Sequence, residues 1–165
     1  MHFFRWQATH VAEAALRIAS GGTIAAMDAL NRFVEAQAPV YATALAELRA
    51  GRKQTHWMWF VLPQLQALGR SSTARFYGLR DLAEARAYWA HPVLGPRLKE
   101  CVTAVLAVEG RSAHEIFGSP DDLKFCSCLT LFERVDGDRC FAEGLERFYG
   151  GGRDAATLGL VAGDA

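Results

Sequence analysis

Two stretches of this 165-residue chain hold the side chains best suited to chemistry. In the first, Arg52 and Lys53 precede His56, Trp57, Trp59 and Phe60, with Gln64 just past Pro63. Two indoles this close can form a flat stacking surface, and a cation beside them suits a base or sugar bearing phosphate. A plainer reading makes Trp57, Trp59 and Phe60 core residues. Arg52 and Lys53 then neutralise the carboxyl end of the preceding helix.

The second stretch begins at Ser119-Pro120-Asp121-Asp122 and continues through Lys124 to Val135. Its apolar residues (Leu123, Phe125, Leu129, Leu131, Phe132 and Val135) fall on every side of a helix, the pattern of a buried element. Yet Asp121, Lys124 and Ser127 recur at steps of three, so successive side chains can touch. Buried polar groups must be paired or must hold something. Asp121 and Asp122 can bond the free N–H groups of their own helix start, with Lys124 paired to Asp121. Alternatively one carboxylate stays free as a general base, and Lys124 holds a negative ligand. The candidate catalytic residues are therefore Asp121, Asp122 and His56. Candidate ligand contacts are Arg52, Lys53, Trp57, Trp59, Gln64, Lys124 and Thr130.

Several other chemistries are not expected. Lys+Arg and Asp+Glu each total 18, a formal net charge of zero. Duplex nucleic acid and anionic lipid both call for excess positive charge, so neither is an expected partner. The five histidines include no H-x-x-x-H pair, and a metal site is not expected. Nor does the chain contain a nucleophile elbow, a Walker loop or a G-x-G-x-x-G fingerprint, and no cofactor is expected. Cys101, Cys126, Cys128 and Cys140 form no C-x-x-C motif. Cys126 and Cys128, two apart, point about 200° apart on a helix and cannot share an ion. They read as reduced, mostly buried thiols of a cytoplasmic protein. No apolar run approaches the ~18 residues of a membrane span.

The elements that must position these residues read as helical throughout. Hydrophobic residues make up 51% and charged residues 22% of the chain, a globular balance. A chain of this length buries roughly 70% of its unfolded surface and needs no staple. Asp28 is a candidate cap for a helix over 29–38, and Pro39 for the start of a second helix carrying Tyr41, Leu45 and Leu48. The Trp block reads as a short buried helix or turn ending at Pro63. Ser71 or Ser72 can cap a short helix, Asp81 with Glu84 forms a capping-box pattern, and so does Ser112 with Glu115. Pro92 opens a helix with a stripe at Leu94, Leu98, Cys101, Val105 and Val108. Ser119-Pro120-Asp121-Asp122 is the strongest helix start, and Asp154 caps a last short helix. The expectation is an all-α domain over 27–165, a bundle of about seven or eight short helices without substantial sheet. Residues 1–26 read as an appendage, a mobile helix or a mis-assigned start. Intact mass of the native protein tests the latter, because a mass beginning at Met1 overturns it.

GRKQTHWMWFVLPQL (51–65), HPVLGPRLKEC (91–101) and GSPDDLKFCSCLTLF (118–132) resemble the family catalogued as domain of unknown function 1810. The resemblance extends over about residues 27–162. Members are small, mostly bacterial and mainly helical, and some bear the label calpastatin, which describes long disordered proteins unlike this one. The resemblance implies a multihelical fold and no established activity. Where members commonly read DDLKLRSSMTLF, this chain has Cys126 and Cys128 in place of an Arg and a Ser. If that Arg serves an anion, this chain binds it less well or differently.

Three functions fit. The first is a domain binding a small anionic aromatic ligand, of nucleotide or ADP-ribose type, between the Trp block and the start of the Asp121 helix. The second is a hydrolase acting on a glycosidic or phosphate ester bond with an Asp general base. The third is a protein-interaction module without a pocket.

Overall fold

The structure is a computed structural model that describes residues 24–135 and 137–164. The expected appendage falls largely outside the described residues. By contacts the chain divides into Met1–Asn31 and Arg32–Ala165. In the first unit, residues 24–31 are helical, as the start of helix α1 over 24–37. Asp28 therefore lies inside a helix and is not its cap, a correction to the expectation. The helical phase already established at residue 24 removes the need for a cap there.

The second unit continues α1 and adds nine further helices among the described residues. These are α2 (Tyr41–Arg49), α3 (Met58–Val61), α4 (Ser72–Phe76), α5 (Leu82–Ala90), α6 (Leu94–Leu106), α7 (Ala113–Phe117), α8 (Asp121–Arg134), α9 (Cys140–Tyr149) and α10 (Ala155–Val161). The fold is all-α. Among the described residues ten α-helices stand where seven or eight were expected, because several are single turns, such as α3 and α4. Among the described residues the β-pairing consists of an isolated parallel bridge between Leu65 and Leu79.

α8 is the central element, packed by α5, α7, α9 and α10. Of the apolar residues expected to be enclosed, Phe125, Leu129, Leu131, Phe132 and Val135 are buried, with Cys128 beside them, but Leu123 is 63% exposed, so the first turn of α8 opens to one side. Phe132 stacks on Phe141 of α9 at 5.6 Å and lies 5.6 Å from Tyr88 of α5. Each such ring removed from water contributes about 1.5–3 kcal/mol. Four residues of the stripe read on α6 are core, with Leu94, Leu98, Cys101 and Val105 all buried, whereas Val108 lies beyond the helix end at Leu106 and is half-buried. α5 and α6 approach closely at Gly95, where a Cβ would sit 2.0 Å from the Trp89 carbonyl oxygen. Only glycine leaves room for that carbonyl.

Three prolines read as first helical residues lie outside their helices. α2 begins at Tyr41, α6 at Leu94 and α8 at Asp121, after Pro39, Pro92 and Pro120 respectively. In α6 the reason is His91, whose Nδ1 accepts from the N–H groups of Val93 and Leu94 at 3.1 and 3.3 Å. The side chain occupies the first donors and so sets where the helix starts. Ser119 does not cap α8 either. The Ser119–Pro120 peptide is cis, Pro120 takes the cap position without a side-chain bond, and the Gly118 carbonyl receives the Asp122 N–H at 2.9 Å. Ser112 and Glu115 do form the full capping box of α7. Asp81 accepts from the Glu84 N–H at 2.8 Å, but the Glu84 carboxylate turns to the N–H of Arg80 at 2.7 Å instead of closing the box.

Two polar ties hold the segment that presents the Trp block. Gln37 donates to the Phe60 carbonyl at 2.8 Å and to the Tyr88 hydroxyl oxygen at 3.0 Å, pinning α3 against α5. Beyond α3, the N–H of Gln66 meets the Leu79 carbonyl at 2.7 Å, and the Leu79 N–H meets the Gln64 carbonyl at 3.0 Å.

Candidate functional site

The loop between α2 and α3 is shaped by a residue that the motif reading passed over, Glu47. It lies on the buried side of α2 with Ala44, Leu45 and Leu48. Its carboxylate accepts from the backbone N–H of Gln54 (2.8 Å) and of Thr55 (3.1 Å), from the Thr55 hydroxyl (2.6 Å) and from the Trp57 indole N–H (2.8 Å). Burial works against its charge. The four hydrogen bonds outweigh burial and bring its pKa down to about 2. A carboxylate inside an otherwise apolar helical stripe was the available sign of such a hub.

With the loop so held, Lys53 points toward α8. Its ammonium donates to the Thr55 carbonyl at 2.7 Å, sits 3.0 Å from Asp121 Oδ2 and lies 5.1 Å from the centre of the Trp57 ring. The other carboxylate oxygen of Asp121 faces Lys124 at 3.2 Å. Lys124 in turn lies 5.7 Å from the Trp59 ring centre. The chain Lys53–Asp121–Lys124–Trp59 thus joins the two stretches singled out in the sequence.

Beside this chain opens a cleft of about 470 Å³. Its lining includes Trp59 and Gln64, Lys124 and Ser127 of α8, and Arg70 with Asp154. Trp59 is half-buried. Among the described residues no side-chain hydrogen bond or ion pair engages Arg70 or the Gln64 amide. The Lys124 ammonium has Asp121 as its ion-pair partner. A second cleft, of about 510 Å³, lies between Arg49 and α6, but its charges pair with their neighbours: Arg49 with Glu100 at 3.2 Å and Lys99 with Asp138 at 2.6 Å. It contains no aromatic surface.

The remaining candidates are dispersed. Trp57 is 1% exposed, a core indole satisfied by Glu47. Thr130 is fully buried and bonded on both sides, donating to the Cys126 carbonyl at 2.8 Å and accepting the Asp154 N–H at 2.9 Å. Asp122 accepts the Leu123 N–H at 2.9 Å and meets His114 Nδ1 at 3.2 Å. His56 is exposed, its ring 6.5 Å from that of Trp59, and Arg52 is exposed outside the cleft wall. Ser71 and Asp154 are legible in the sequence only as helix caps, which they are, and Arg70 carries no signal, since a lone loop residue has no periodicity to read.

Cys128 is buried, and burial raises its thiol pKa; Cys126, half-buried, lies 3.7 Å from the Gly152 carbonyl and is raised for the same first reason. Among the described residues no group of three or more His, Cys, Asp or Glu could hold a metal ion. No helix among them is long and apolar enough to cross a membrane.

Comparison with known proteins yields one family and one solved structure of note. Residues 27–161 match the family described as Protein of unknown function (DUF1810). The chain is similar to the crystal structure of the conserved hypothetical protein Rv1873 from Mycobacterium tuberculosis, at 57% identity and a TM-score of 0.80. The match covers 81% of this chain and 96% of that one. A comparison with curated proteins gives no match. On a family match spanning most of its length, this chain belongs to the DUF1810 family.

Proposed function

We propose that the cleft beside Trp59 binds a small ligand joining an aromatic ring to a negative charge, of nucleotide or ADP-ribose type. The observation that carries this reading is the pairing of a half-open indole with an ammonium 5.7 Å from its ring, at the wall of a 470 Å³ cleft. An aromatic face takes a planar ring, and the adjacent cation takes a charged substituent. The cleft volume lies within the usual range for small-molecule sites, roughly 300–1,000 Å³. Free thiols fit a reducing compartment, and the reading puts the ligand in the cytoplasm.

The occupation of both carboxylates favours binding over hydrolysis. Asp121 divides its oxygens between two lysines, and Asp122 is engaged by Leu123 and His114. Each oxygen of both carboxylates thus already has a partner, which lowers its readiness to take a substrate proton.

A thermal-shift series with nucleotides and ADP-ribose tests the reading. A concentration-dependent rise of the midpoint in the native chain, lost in Trp59→Ala, supports it. Flat traces across the series reject it and leave the pocket-free interaction module.

A further inference from the structure

Three helix starts reach the cleft, and at each the protein itself takes some of the first-turn donors. At α4 the Ser71 hydroxyl oxygen accepts the Ala74 N–H at 3.1 Å. At α10 the Asp154 carboxylate accepts both the N–H of Thr157, at 2.9 Å, and its hydroxyl, at 2.6 Å. At α8 the N–H of Asp122 goes to the Gly118 carbonyl, that of Leu123 to the Asp122 carboxylate and that of Lys124 to the Pro120 carbonyl. Those donors are not open to the oxygens of a di- or triphosphate.

Full positive charge for an anion comes from side chains. Lys124 and Arg70 are the cations among the described residues that line the cleft. Lys53 is turned to Asp121 behind them, with a side chain only 9% exposed. Against these three positive charges stand Asp121, shared by the two lysines, and Asp154 in the cleft wall. One positive charge is left in excess, and a second or third phosphoryl group would meet Asp154 without a new cation to oppose it.

Resting on the nucleotide reading above, we infer that the cleft takes a nucleoside carrying a single phosphoryl group. The base lies on Trp59, with the Gln64 amide able to meet a polar edge. The phosphoryl oxygens lie between Lys124 and Arg70. Stacking on an indole tolerates any base, so selection acts on the charge of the ligand more than on the identity of its ring.

The test is calorimetric titration of the full chain with nucleosides, their mono-, di- and triphosphates (adenine and guanine series) and ADP-ribose, at one ionic strength. The expected result is a monophosphate binding about tenfold or more tighter than its nucleoside, as one charge-assisted hydrogen bond provides. The triphosphate and ADP-ribose should bind no tighter than the monophosphate. Arg70→Gln, at an exposed side chain that no fold contact uses, should weaken the monophosphate by a similar factor and leave the nucleoside unchanged. Lys124→Gln should do the same. If triphosphate or ADP-ribose binds tighter, the single-phosphoryl inference is overturned while the nucleotide reading stands; if nucleoside and monophosphate bind equally, both fall, because the charge then contributes nothing. If nothing in the panel binds, the nucleotide reading itself falls.

Discussion

The ammonium of Lys53 lies 3.0 Å from a carboxylate oxygen of Asp121, and the other oxygen of that carboxylate lies 3.2 Å from Lys124. One acidic side chain therefore fastens the loop before α3 to the first turn of α8. It also keeps two ammonium groups from repelling each other at the edge of the cleft. The Lys53 and Asp121 side chains are only 9% and 19% exposed, so water screens this contact less than it would a surface pair.

Asp121→Asn should lower stability by about 1–3 kcal/mol, because it leaves two neighbouring cations without their shared acceptor. Lys53→Met combined with Asp121→Asn should show a coupling of about 0.5–3 kcal/mol in a double-mutant cycle followed by urea unfolding. Additive effects would mean that the contact does not hold the loop.

Glu47→Gln should destabilise by about 1–3 kcal/mol, since an amide presents one acceptor oxygen where the carboxylate presents two, and its NH2 faces donors. The Glu47 pKa falls from an ordinary 4.5 to about 2 on folding. A depressed carboxylate contributes stability that is complete above 4.5 and is lost as pH falls through about 2. The thermal midpoint of the native chain should therefore drop over that window, and the drop should be shallower in Glu47→Gln.

His91 accepts two backbone N–H groups through Nδ1 and is buried, which lowers its pKa below 6.5. The neutral ring is the form that caps α6. The unfolded chain binds the proton more readily, so stability is full above 6.5 and declines as pH falls through the lower folded value. An NMR titration of the ring should place its midpoint below 6.5. His91→Ala should cost about 0.5–2 kcal/mol, the scale of a lost helix cap.

Gly95→Ala and Gly159→Ala should move stability in opposite directions. At Gly95 the new methyl would lie 2.0 Å from the Trp89 carbonyl oxygen, so α5 and α6 must separate, at a cost of about 1–3 kcal/mol or more. Gly159 lies inside α10 with nothing within 4 Å of the added atom, and alanine there should stabilise by about 0.4–1 kcal/mol. Chemical denaturation of the two variants reads both signs at once.

The helices were legible in the sequence wherever a local rule governs them. The stripe of Leu94, Leu98, Cys101 and Val105, the Ser112–Glu115 box, the Asp154 cap and the all-round apolar α8 each follow from periodicity or from donors that a nearby side chain must satisfy. The same local rules put the prolines one or two residues too far into their helices. They cannot register a cap such as His91, nor the turn ahead of α8.

Tertiary packing alone decided the site. Trp57 and Trp59 are equivalent by composition, and only the buried carboxylate of Glu47 made the first a core indole and left the second at a cleft. Likewise Arg70 has no pattern of its own, and it reaches the wall that Lys124 lines only because the chain turns back between Leu65 and Leu79. Periodicity encodes which side of an element faces inward. Which elements then become neighbours depends on contacts distant in sequence, whose complementarity no local window contains.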